Sequence, residues 1–229
     1  MKTKTGLILF IAIAGITLLV SAYADIAFSN LFFTSKGFLK DNPILQAIYK
    51  YALIPAWLVV LAALLLTALS YKNKTLAYYR PGLQTLLLTL LIGSGIICNA
   101  ALKDHWGRPR PIQTKEFGGE YPFRTVYQPK WSWVKSDTRS FPSGHSTMGF
   151  YFFALYIFAR RYKFNRLKIL SIILLIALGG LLSFARLAQG GHYLSDILAS
   201  AIIMTYTANI IDKILNRGFK NERLDSTTT

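Results

Sequence analysis

The sequence predicts an all-α polytopic membrane protein, a bundle of six transmembrane helices forming one domain over residues 1–229. Three observations predict it. Hydrophobic residues make up 53% of the chain and charged residues 16%, with a mean hydropathy of +0.37. That balance is too apolar for a soluble domain of this length and excludes disorder, collagen-like repeats and coiled coil. The apolar residues are also gathered into long blocks. Finally, the lysines and arginines behind the net charge of +16 collect at the block ends. The basic balance therefore reads as membrane topology and not as nucleic-acid binding. Cys98 is the only cysteine, which rules out an intrachain disulfide.

The six blocks run Gly6–Ala24, Ala52–Ser70, Leu83–Leu102, Thr147–Ala159, Ile169–Ala185 and Leu194–Ile211. A helix needs about 20 apolar residues to cross the hydrocarbon core. The fourth block reaches that length only if Ser143–Ser146 join its first turn, and the sixth carries Asp196. Helices are expected throughout because backbone polar groups in lipid must be satisfied within the segment. The first block also has the form of a secretory signal. Lys2 and Lys4 precede an apolar run that ends in Ala22-Tyr23-Ala24 ahead of Asp25. Its near-spanning length favours a retained helix.

Orientation follows from the loop charges. One side holds 14 Lys and Arg residues, including Lys72, Lys74, Arg160, Arg161 and Lys213. The other holds 4, namely Lys36, Lys40, Lys50 and Arg186, once the long stretch Lys103–His145 is set aside. The positive-inside rule applies to short loops, so both termini are expected in the cytoplasm, with a polar tail over 213–229. The long stretch carries Trp106, Phe117, Tyr121, Phe123, Tyr127, Trp131, Trp133 and Phe141. Such aromatic content argues for an ordered, functional loop. No internal repeat or low-complexity linker divides the chain.

Three polar clusters interrupt the apolar pattern, all on the non-cytoplasmic side. They are Lys103-Asp104-His105-Trp106-Gly107-Arg108-Pro109-Arg110-Pro111, Phe141-Pro142-Ser143-Gly144-His145-Ser146, and Arg186 through Asp196. Basic residues flank membrane helices generally, yet these clusters also contain all three histidines. Each makes sense as part of a phosphate site. Lys103, Arg110 and Arg186 supply positive charge, Arg through a planar fork that grips two oxygens. Pro109, Pro111 and Gly107 keep the first strip extended. Ser143 reads as an N-cap, with Gly144 exposing free backbone N–H groups to an anion. His192 and Asp196 share a face if the sixth helix begins near His192. A carboxylate there fixes the imidazole tautomer and stabilises positive charge on a ring that becomes covalently modified. An acid within a span is expensive and thereby a functional candidate; an ordinary buried His–Asp hydrogen bond is the plainer alternative.

The spacing of these residues resembles the type 2 phosphatidic acid phosphatase family. Lys103 is followed after six residues by Arg110-Pro111, Pro142 to His145 spell Pro-Ser-Gly-His, and Arg186, His192 and Asp196 repeat the third signature. That third signature opens with Ser-Arg, where this chain has Ala185, a departure affecting one accessory hydrogen bond. The resemblance implies a phosphatase using neither metal nor cofactor. His192 would attack phosphorus, Asp196 would orient it, and His145 would protonate the leaving oxygen and then activate water. Lys103, Arg110, Ser143, Gly144 and Arg186 would bind the phosphate. The wording His105-Trp106-Gly107-Arg108-Pro109-Arg110-Pro111 and Gln189-Gly190-Gly191-His192 is similar to bacterial lipid A phosphatases. This implies a lipid phosphate substrate at the periplasmic face of the inner membrane, taken from the bilayer without a nucleic-acid partner. Phosphatidylglycerol phosphate, phosphatidic acid and undecaprenyl diphosphate share the same catalytic letters and stay open as substrates. Two rival readings are a small transporter and a haloperoxidase-like use of the anion pocket. His105 and Arg108 are expected to be solvated loop positions. Gly93-Ser94-Gly95 and Gly179-Gly180 are expected to let helices pack closely.

Overall fold

The computed structural model describes residues 3–130 and 138–217; Trp131, Trp133 and most of the polar tail lie outside the described residues. Among the described residues the fold is all-helical, with two isolated β-bridges and no strand. Helices α1 (Thr3–Tyr23) and α2 (Asp25–Asn30) are followed by α3 (Pro43–Tyr51), α4 (Ile54–Leu69) and the short α5 (Lys74–Ala77). Helix α6 (Arg80–Leu88) continues into a π-helix over Thr89–Lys103. After the long loop come α7 (Gly144–Phe150), α8 (Phe152–Arg161), α9 (Asn165–Ala188) and α10 (Leu194–Leu215).

Local chemistry sets several of these boundaries. Pro43 occupies the first turn of α3, and the Asn42 side chain accepts from Ile44 N at 3.0 Å and Leu45 N at 3.1 Å, satisfying two otherwise orphaned donors. Helix α9 ends where Gly190 turns into the left-handed region at φ +62°, a conformation that favours glycine. The same residue needs to lack a side chain for a second reason, since a Cβ there would meet the Phe38 ring at 2.5 Å.

Four helical stretches are long and apolar enough to cross a membrane: Pro43–Leu69, Arg80–Lys103, Asn165–Ala188 and Leu194–Leu215. The count of six expected from the sequence thus stands at four among the described residues. The expected fourth span is divided at Tyr151 into α7 and α8. The first is helical over Thr3–Tyr23, and its stretch Ala14–Tyr23 is an apolar helix. Leu58, Leu61 and Leu65 on α4 and Ile169, Ile173 and Ile176 on α9 point outward, as helices facing lipid should.

Helix α10 is the hub, packed against α1, α2, α6, the π-helix, α7 and α8. Its buried face is rich in small residues, Ser195, Ala199, Ser200 and Ala208 among them, which lets neighbouring backbones approach. Close approach also joins α7 to α9, where a Cβ on Gly149 would lie 2.5 Å from Gly179 Cα. Gly93 faces Met204 and Thr207 in the same manner, whereas Gly180 has open space around it. The expected role of small residues therefore holds for Gly93 and Gly179. The long loop is packed by its aromatic side chains. Trp106 lies on Phe141 at 4.7 Å between centroids, Phe117 joins Phe33 and Phe38, and Phe123 meets Tyr193 edge-on.

Candidate active site

Hydrogen bonds tie the three polar clusters to one another. Ser140 N donates to Arg108 O at 2.9 Å, linking the first cluster to the approach to the second. Ile112 N donates to Gly190 O at 3.1 Å, joining the strip after Arg110 to the third. Ser200 Oγ donates to Ser143 O at 3.0 Å, and Ser143 N reaches Asp196 O at 3.4 Å, joining second to third. Segments far apart in sequence are thereby fixed at one end of the bundle.

Lys103 ends the π-helix, a winding that is rare and frequently marks functional sites. Its ammonium lies beside Gly144: a Cβ on that glycine would be 3.4 Å from Lys103 Nζ and 3.1 Å from Asn99 Oδ1. Arg186, in the last turn of α9, donates from Nη1 to Gln189 Oε1 at 2.7 Å and lies over the Tyr49 ring at 4.9 Å. A Cβ on Gly191 would collide with the Arg186 guanidinium, so Gly191 makes room for that cation. The Nε atoms of Arg110 and Arg186 are buried without protein partners. Buried donors are ordinarily satisfied, and these two are available to an anion.

Ser143 caps α7 as expected, its Oγ accepting from Ser146 N at 3.4 Å and pairing with Ser146 Oγ at 2.8 Å. His145, half-buried in the first turn, stacks on Tyr49 with centroids 3.9 Å apart. Burial, then the nearby charges of Arg186, Lys103 and Arg110, push its pKa down to about 4. His192 is 2% exposed. Burial pushes it down to about 3, with Lys103 and Arg186 adding to the effect and Asp196 opposing it. Both imidazoles are therefore neutral near pH 7 and lie in the field of the same two cations.

The His192–Asp196 pair forms differently from the sequence expectation. Helix α10 begins at Leu194, so His192 lies in the preceding turn. Asp196 reaches back, accepting from Tyr193 N at 2.9 Å, and its Oδ2 is 3.6 Å from His192 Nδ1, beyond hydrogen-bonding distance. Ser140 Oγ donates to Asp196 Oδ2 at 2.6 Å.

Arg108 corrects the sequence reading, which placed it in solvent. Its side chain is fully buried, pairing with Asp196 Oδ1 through Nη1 and with Asp25 Oδ2 through Nη2 at 2.6 Å. It also donates to Ser195 Oγ at 2.8 Å and to Arg124 O at 2.7 Å, and lies 4.3 Å from the Tyr193 ring centroid. Asp25 in turn accepts from Ser195 N at 2.9 Å. A buried Asp25–Arg108–Asp196 chain thus backs the catalytic candidate His192. Asp25 and Tyr49 carry no motif, and only a charge beside the first apolar block hinted at Asp25. His105 is half-buried, with Nδ1 3.0 Å from Ala101 O.

Two cavities flank the clusters. One, of about 650 Å³, is an apolar groove walled by Trp57, Leu64, Leu91 and Met148 that ends at Lys103 and His145. The other, of about 710 Å³, is polar and includes Arg110, Arg186 and Gly191 in its walls. Among the described residues no group of His, Cys, Asp and Glu is arranged to hold a metal ion.

The chain is 30% identical over 166 residues to a lipid A 4'-phosphatase of Francisella tularensis subsp. novicida, covering 71% of each chain. It is 38% identical over 116 residues to a lipid A 4'-phosphatase of Rhizobium leguminosarum, covering 51% of this chain and 47% of that one. A lipid A 4'-phosphatase of Rhizobium etli is 36% identical over 108 residues, 47% of this chain and 40% of the relative. No solved structure matches the chain. Residues 84–219, which contain all three clusters, match the PAP2 superfamily, and the chain belongs to that phosphatase family.

Proposed function

We propose that this protein is a metal-independent lipid phosphatase that removes the 4'-phosphate of lipid A at the periplasmic face of the inner membrane, as a six-span bundle with both termini cytoplasmic. The observation that carries the reading is the hydrogen-bonded convergence of the three clusters, which sets His145 and His192 among Lys103, Arg110 and Arg186. The names of the relatives favour lipid A over the other lipid phosphates. The apolar groove ending at Lys103 and His145 suits acyl chains that stay in the bilayer while the phosphoester reaches the cations.

In this reading the neutral His192 attacks phosphorus, the bond to the lipid oxygen breaks, and that oxygen takes a proton from His145. Water then gives a proton to His145 and attacks the phosphohistidine, releasing inorganic phosphate and free His192. Lys103, Arg110, Arg186, Ser143 and the Gly144 backbone hold the phosphoryl oxygens as negative charge shifts between them. Asp196 orients His192 and stabilises its charged form. His145 needs a proton in the first step, although burial and the three cations by themselves keep it neutral. A bound phosphate dianion offsets those cations and so raises its pKa.

Phosphate release from lipid A by the purified protein in excess chelator tests the proposal, with His192→Ala as control. Full activity in chelator, loss in the variant, a trapped phosphohistidine and inhibition by vanadate are the expected results. Strict Mg²⁺ dependence, or an active His192→Ala protein, would overturn it.

A further inference from the structure

The apolar groove and the polar cavity share no wall residue. Tyr49 stands between them, its ring stacked on His145 of the first and lying beneath Arg186 of the second. A lipid with its phosphoester at this boundary has its chains on one side and its polar head on the other. The head side is cationic well beyond what one phosphate needs. Lys40 and Lys50 line it together with Arg110 and Arg186, against the single carboxylate of Asp41. Arg110, Arg186 and Lys103 already outweigh a phosphate dianion, which leaves Asp41 as the single carboxylate in the cavity wall against the two lysines.

Their placement is part of the fold. Leu39 N donates to Ala188 O at 3.0 Å, and Phe38 packs under Gly190. The Lys40 segment is thereby docked on the turn that carries Arg186 and His192. Lys50 lies near the end of α3, one residue after Tyr49.

We infer that the polar cavity is a head-group subsite in which Lys40 and Lys50 bind a second anionic group of the substrate, remote from the phosphate being hydrolysed. The ligand class is a lipid whose head carries two phosphates. This rests on the lipid A reading and deepens it, because that reading requires one phosphate only. The subsite selects bisphosphorylated over monophosphorylated heads and makes the selection salt-sensitive, since both lysines are exposed.

The test pairs binding with turnover, using full-length protein with bisphosphorylated lipid A, 4'-monophosphorylated lipid A and phosphatidic acid. Lys40→Ala/Lys50→Ala is expected to lower kcat/KM for the bisphosphorylated lipid about tenfold, through KM, the scale of two exposed charge contacts. Turnover of the two single-phosphate lipids should stay within about twofold of wild type, as neither offers those lysines a charge. Equilibrium binding of each lipid to detergent-solubilised His192→Ala protein, with and without the lysine substitutions, reads the same preference without catalysis. An equal fall on all three lipids, or no fall on any, overturns the subsite. If no lipid is hydrolysed yet binding shows the lysine-dependent preference, the phosphatase reading fails and the subsite stands. Hydrolysis of phosphatidic acid alone, with no preference in binding, overturns the subsite and leaves the phosphatase chemistry standing.

Discussion

Replacing Arg108 by methionine removes the cation between two buried carboxylates while keeping most of the side-chain volume. Arg108, Asp25 and Asp196 all have 0% side-chain exposure. Breaking a buried pair by deleting one partner costs about 3–5 kcal/mol, because the remaining charge is stranded. Asp25 limits its own penalty by taking a proton, which at pH 7 costs about 4 kcal/mol for a carboxyl that ionises near pH 4 when unfolded. Two independent routes therefore give the same size, a large share of a marginal stability of about 5–15 kcal/mol. The pH dependence has a definite sign. In the variant the folded protein holds a proton on Asp25 that the unfolded chain releases, so the deficit from this group is small near the unfolded pKa of about 4 and grows by about 1.4 kcal/mol per pH unit as pH rises toward the raised folded-state pKa. Denaturant titration in detergent micelles at pH 8 and pH 5, wild type against Arg108→Met, measures it. Adding Asp25→Asn should recover part of the loss at pH 8. A deficit below about 1 kcal/mol, or one independent of pH, would refute the reasoning.

Other outcomes follow from the same geometry. Gly191→Ala should displace the Arg186 guanidinium, the flexible end of its side chain, and lower kcat/KM about 100-fold while leaving the unfolding midpoint nearly unchanged; steady-state kinetics beside a melting curve separates the two effects. Gly149→Leu forces a side chain onto the Gly179 backbone and should destabilise the α7–α9 contact by about 1–3 kcal/mol or more, read as a lower melting temperature. Burial and three cations hold His145 near pKa 4 in the free enzyme, and bound phosphate neutralises those cations. The alkaline limb of kcat should therefore lie at higher pH than that of kcat/KM, and coincident limbs would count against His145 as the acid.

Much of the candidate site was legible in the sequence because its motifs are local. Lys103 with Arg110-Pro111, Pro142 to His145, and Arg186 with His192 and Asp196 are short strings whose residue types already state a need for positive charge, imidazole and a carboxylate. The apolar blocks were legible for a similar reason, since crossing lipid constrains each segment on its own. Boundaries were less so. The division of the fourth block at Tyr151 and the start of α10 after His192 depend on packing against neighbouring helices. The Asp25–Arg108–Asp196 chain was invisible, because a lone acid after an apolar block and an arginine in a loop look solvated until 83 residues of separation are closed.

From sequence alone came the class of protein, the membrane environment and the motif letters of the candidate site, each set by residue chemistry or by hydropathy along a continuous run. Only the tertiary structure decided which side chains share a low-dielectric interior, and hence that Arg108 is paired, that both imidazoles stay neutral and that Tyr49 separates an apolar groove from a cationic cavity. Burial and charge proximity depend on distances through space, and those come into being when the chain folds.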